Sequence, residues 1–133
     1  MDRWPYHLAF ATLLFFALGC GAGGPAMYRV TGTVTFDGRP VESGEIIFVP
    51  VDKGVAPDAG RIDNGAYDLL VKAGKKRVEI RASRPVLGGK PNPMGPVYQD
   101  YIPEKYNART TLAAAVEPEG ANRFDYELKS GKN

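Results

Sequence analysis

The sequence predicts an all-β fold, a seven-stranded antiparallel β-sandwich in a single domain. Three observations point there. Apolar residues recur at every second position in short runs: Val30, Val34 and Phe36 share one parity, while Thr31, Thr33 and Thr35 hold the other. A period of two places one set on each face of a pleated strand. The runs are separated by Asp37-Gly38 and Asn64-Gly65, dipeptides that suit a two-residue hairpin turn because glycine takes positive φ without steric cost. Seven such runs at turn-punctuated intervals then read as a sandwich.

The chain has 133 residues, and its beginning has a different character. Residues 8–18 are apolar except for Thr12 and end at Gly19-Cys20. A helix needs about 20 apolar residues to cross a bilayer core, so this run has the length of a signal-peptide core instead. Ala17-Leu18-Gly19-Cys20 resembles a bacterial lipobox. That resemblance implies cleavage after Gly19 and fatty acylation (palmitate) of Cys20. Removing residues 1–19 from 133 leaves 114, with His7 and Trp4 lost from the mature chain. Cys20 is the only cysteine, so no internal disulfide and no cysteine-based zinc site can form. Residues 21–27, small and glycine-rich, read with Cys20 as a flexible tether (20–27). The formal net charge of +2 gives no electrostatic footprint for nucleic acid.

The predicted strands follow in order. Residues 28–36 form the first. Pro40 removes a backbone donor, so the second begins after it, over 44–50, with Ile46 and Phe48 inward. Residues 52–60 read as a loop and 60–62 as a short strand. Tyr67, Leu69 and Val71 mark the inward set of the next. Residues 76–83 follow, with Val78, Ile80 and Ala82 inward and Arg77, Glu79 and Arg81 on a solvated face of alternating sign. Lys75-Lys76-Arg77 is placed at a turn, where it would keep the hairpin soluble or touch anionic lipid. Residues 110–116 are read as a strand although three alanines favour helix. Residues 122–129 close the domain, with Phe124, Tyr126 and Leu128 inward, and 130–133 are a tail.

Residues 84–107 break this rhythm. Five prolines and three glycines in 24 residues exclude a regular helix or a central strand, and the length exceeds that of an ordinary loop. Aromatic residues gather at its far end. Tyr98, Tyr101 and Tyr106 are the candidate ligand or partner surface. The competing expectation is that Ile102 and Tyr106 plug the open end of the sandwich.

Residues 30–41, V-x-G-x-V-x-x-D-G-x-P-V, and 44–50, G-x-I-x-F-x-P, resemble the carboxypeptidase regulatory-like domains of bacterial surface lipoproteins, members of the transthyretin-like β-sandwich group. Ile102-Pro103-Glu104-Lys105-Tyr106-Asn107 resembles a pattern found in the same lipoproteins before their last two strands. The resemblance spans residues 28–129. It implies a domain at the cell envelope, lipid-anchored at the outer membrane on its periplasmic or surface face.

Catalysis of the Ser-His-Asp or Cys-His type needs an imidazole, which the mature chain lacks. Its 14 carboxylates single out no glycosidase pair, and Asp52, Asp58 and Asp63 match no compact calcium loop. No catalytic residue, metal site or cofactor is therefore assigned. The expected function is a noncatalytic accessory or interaction domain, with envelope proteins or glycans as partners. A carbohydrate- or small-ligand-binding module built on the loop tyrosines is the alternative, and a hydrolase stands behind both.

Overall fold

Strands dominate residues 23–131, the part of the chain described by the structure, a computed structural model. The predicted signal segment, Cys20 and residues 21–22 of the tether lie outside these residues. β1 (Met27–Phe36) is the longest strand. It is followed by β2 (Arg39–Pro40), β3 (Ser43–Pro50), β4 (Asp58–Asp63), β5 (Ala66–Lys72) and β6 (Gly74–Arg81). The short β7 (Ser83–Pro85) and β8 (Tyr98–Asp100) come next, then a 3-10 turn at Glu104–Tyr106, β9 (Ala113–Val116), β10 (Asn122–Arg123) and β11 (Tyr126–Leu128). Among the described residues no helix is long and apolar enough to cross a membrane.

The main sheet runs β10-β1-β5-β4-β3-β6-β9. β4 and β5 pair only at Asp63↔Ala66, beside their turn, and then diverge. The sheet therefore curls, bringing β3 and β5 together across the core: the rings of Phe48 and Tyr67 lie 6.2 Å apart. Val30, Val34, Ile46, Phe48, Val71, Val78, Ile80 and Leu128 are fully buried between the curled halves. These are the alternating residues of their strands, as the period of two requires.

Both glycine turns take the expected form. Asp37 and Gly38 have φ of 50° and 80°, and Asn64 and Gly65 have φ of 47° and 78°, the paired positive values of a type I′ hairpin. The first turn closes a hairpin between β1 and β2, not between β1 and β3. Pro40 faces Thr35 in that hairpin, and the next ladder bond comes from Val41 N–H to the Val34 carbonyl, 3.1 Å. The missing proline donor thus costs nothing. The two turns interlock, because Gly65 N–H donates to the Val41 carbonyl and the Gly65 carbonyl accepts from Val34 N–H. A Cβ at Gly65 would lie 2.7 Å from Pro40 Cβ. Gly65→Val is expected to destabilise by at least about 1 kcal/mol through positive φ and this clash. An unchanged melting temperature would contradict the turn.

Several expectations are corrected. The sheet is not wholly antiparallel, since β10 and β11 both run parallel to β1. After β9 the chain crosses from one end of the sheet to the other and arrives in the direction of β1. Among the described residues eleven strand segments replace the seven, because β2, β7 and β8 add to the expected set and residues 122–129 are broken at Phe124-Asp125. Lys75-Lys76-Arg77 lies within β6 rather than at a turn. Lys76 has the core-facing parity and is 3% exposed, its Nζ donating to the Ala73 carbonyl at 3.3 Å. Glu79 is buried, not solvated, because Arg77 and Arg81 fold over it from both sides at 2.9 and 3.1 Å. The strand expected over 110–116 is shorter. Thr110 instead turns its hydroxyl to the Val78 carbonyl at 2.7 Å. Phe124 and Tyr126 keep inward parity but are only half-buried.

The break at Phe124-Asp125 has a local cause. The Phe124 carbonyl leans over Gly32 and accepts the Tyr67 hydroxyl at 2.5 Å, while Phe124 N–H donates to the Thr31 carbonyl at 3.0 Å. Asp125 then serves as the acceptor that the interrupted ladder lacks. Its Oδ1 receives Thr33 N–H at 2.8 Å and the Thr33 hydroxyl at 2.9 Å. These bonds from Thr33 hold the Asp125 carboxyl below the usual carboxylate range, despite an opposing effect of burial.

Candidate functional site

The Pro-rich segment is a flap. Its base is a ribbon in which β7 and β8 pair through Ser83↔Asp100, Arg84↔Gln99 and Pro85↔Tyr98, extended by Val86 N–H to the Val97 carbonyl at 2.8 Å. Pro85 has no N–H to lose at this two-stranded edge, which explains how prolines and a ladder coexist. Beyond the flap, Ile102 is buried. The 3-10 turn that follows is fixed by Asn107, whose side-chain amide donates to the Ile102 and Pro103 carbonyls at 3.3 Å.

Between the flap and the sheet lies a groove of 790 Å³. Its floor is a cross-strand row. Glu45 on β3 is flanked by Arg61 on β4 and Arg81 on β6, and all three point to the outer face. One wall carries Phe36, Arg39 and Glu42 from the β1–β2 corner, and the other carries Arg84, Tyr98, Asp100 and Tyr101 from the flap. Arg84 sits 5.3 Å over the Tyr101 ring, and that ring meets Phe36 edge-on at 5.5 Å. Burial pushes the Tyr101 phenol up from its ordinary value, and the nearby Glu42 adds to it. Among the described residues Arg39, Arg61 and Arg84 form no salt bridge. Guanidinium groups without partners retain their five-donor forks for an incoming carboxylate, phosphate or sugar hydroxyl pair.

The three candidate tyrosines are not brought together. Tyr98 and Tyr101 line the groove, whereas Tyr106 lies apart, beside Lys105, Arg109 and Thr111. Tyr98 is 61% exposed. Tyr101 and Tyr106 are half-buried against the core, and the Tyr106 hydroxyl accepts Lys129 N–H at 2.9 Å. The plug expected of Ile102 and Tyr106 describes this placement better than a row of exposed ring faces. Of the aspartates weighed for calcium, Asp58 is paired with Lys72, whose backbone N–H donates at 3.0 Å and whose Nζ also reaches it. Burial raises the Asp58 pKa, but the Lys72 contacts outweigh it and the net shift is downward. Among the described residues no three metal-ligating side chains converge.

Sequence reasoning missed the arginines. Arg81 was read as a solvated surface residue, and Arg39, Arg61 and Arg84 were not singled out. Parity places Arg81 on the outer face of its strand, but only the registers of β3 with β4 and β6 place Arg61, Glu45 and Arg81 side by side.

No protein-family model matches this sequence, and no curated protein matches it. Among solved structures the chain is similar to a 9R-lipoxygenase from Cyanothece, at 15% identity and a TM-score of 0.39. That similarity covers 77% of this chain and 16% of the lipoxygenase.

Proposed function

We propose that the chain is a noncatalytic, membrane-anchored lipoprotein of the bacterial cell envelope, whose domain is a transthyretin-like sandwich of the carboxypeptidase regulatory-like type. It binds a partner through the groove beneath the flap. The observation that carries this reading is the groove itself: charged groups of both signs, three of the arginines without a salt bridge among the described residues, held on rigid strands. Guanidinium, carboxylate and phenol groups on strand scaffolds suit recognition. Residues 1–19 are the cleaved signal and Cys20 is the lipidated residue, on a tether that ends at β1. The alternative is a glycan or small-ligand site in the same groove, favoured by the exposed ring of Tyr98 in a lining of arginines and carboxylates.

The test is capture from native membranes with the parent chain and with Arg39→Glu combined with Arg84→Glu. Both positions are at the surface, so the melting temperature is expected to move little. The partner or glycan captured by the parent is expected to be lost by the double variant. An identical captured set from both would remove the groove from the function.

A further inference from the structure

The outer part of the flap does not line the groove and has chemistry of its own. Nine large apolar residues are exposed among the described residues, and five of them lie in 86–98. Leu87 is 88% exposed and Met94 93%. A cluster of this kind on one loop marks a contact surface rather than scattered surface residues. Asn92 closes the tip. Its carbonyl accepts Gly95 N–H and its side-chain oxygen accepts Met94 N–H, both at 3.0 Å, which sets Met94 on the turn. The tip projects into open space, for a Cβ at Gly88, Gly89 or Gly95 would meet nothing within 4 Å.

Residues 84–99 contain Arg84 and Lys90 and no carboxylate. Prolines 85, 91, 93 and 96 remove four backbone donors from the same stretch. Each would otherwise need a partner in a medium poor in water. Tyr98 stands at the base of the projection, and tyrosine favours the boundary between apolar and aqueous phases. A projecting tip without a cavity calls for an occupant that adapts to it. Apolar side chains, cations and missing carboxylates together complement an anionic lipid surface.

We propose that the flap tip, Leu87 and Met94 on either side of Lys90, inserts into the interface of an anionic bilayer. This contact does not depend on the acyl anchor. Met27 begins β1 and Phe36 ends it beside Tyr101 of the flap. The tether attachment and the flap are therefore separated by the length of β1, about 30 Å at ~3.3 Å per residue. With residues 20–27 able to span about 25 Å, both contacts are satisfied together when the domain lies lengthwise on the membrane.

The experiment uses the full chain carrying Cys20→Ser and Leu87→Cys, labelled with an environment-sensitive fluorophore at that single thiol, and the Cys20→Ser chain treated with the same fluorophore as background. Vesicles of phosphatidylcholine with phosphatidylglycerol are expected to shift the Leu87 probe to the blue and expose it to a lipid-phase quencher. Phosphatidylcholine alone is expected to do so less, and adding Lys90→Glu is expected to weaken the response to anionic vesicles about tenfold. A probe unaffected by either vesicle overturns the proposal. So does a probe that shifts only when membrane proteins are supplied, which would make the tip a protein contact. Release of a Cys20→Ser chain from membranes reads the acyl anchor separately, so failure of one contact is distinguishable from failure of the other.

Discussion

Gly32→Ala is expected to destabilise the fold by about 3 kcal/mol, at the upper end of the cost of overpacking a core. A methyl carbon at this position would lie 1.8 Å from the Phe124 carbonyl oxygen and 2.6 Å from the Tyr67 hydroxyl. Neither neighbour is the free end of a flexible chain. The carbonyl is backbone, and the hydroxyl is the buried end of a ring whose titration burial pushes far up. Relief requires the C-terminal segment to lift from β1, which breaks the Tyr67–Phe124 hydrogen bond and strains the contacts of Asp125 with Thr33. Loss of that buried bond alone is worth about 1 kcal/mol. Urea unfolding measures the effect, and a variant as stable as the parent would mean that β10 and β11 do not dock where the structure puts them.

Gly32 also shows what was legible from the sequence. The alternation around it identified β1, but a glycine at inward parity gave no hint that another strand crosses there. Local information sufficed where the cause was local. Asn64-Gly65 needs paired positive φ, and residues 44–50 need only their own alternation to bury Ile46 and Phe48. Long-range pairing was not legible. The direction in which residues 122–129 join β1 depends on where the chain travels after β9, and no residue in the strand encodes that by its type. Lys76 and Glu79 were misread for a related reason. Charge suggested solvent, whereas the Ala73 carbonyl and the two flanking arginines supply the partners that let these groups be buried. In the candidate site, the aromatic end of the long loop was visible as a feature. The groove was not, since Arg39, Arg61, Arg81 and Arg84 come from four separate strands.

The largest functional effect is expected at Cys20. An acyl chain contributes about 0.8 kcal/mol per buried CH₂, and stable anchoring takes more than one chain or a chain with a second contact. Removing the acceptor thiol removes the whole of that attachment at once. Cys20→Ser is expected either to appear in the soluble fraction or to accumulate with its signal segment uncleaved, whereas Gly32→Ala would lower stability without changing where the folded chain resides. Mass spectrometry of the N-terminal peptide of the native chain, extracted from its own membranes, tests the anchoring most directly. The expected result is a peptide that begins at Cys20 and carries the added mass of fatty acyl groups. A chain that begins at another residue, or at an unmodified Cys20, would contradict it.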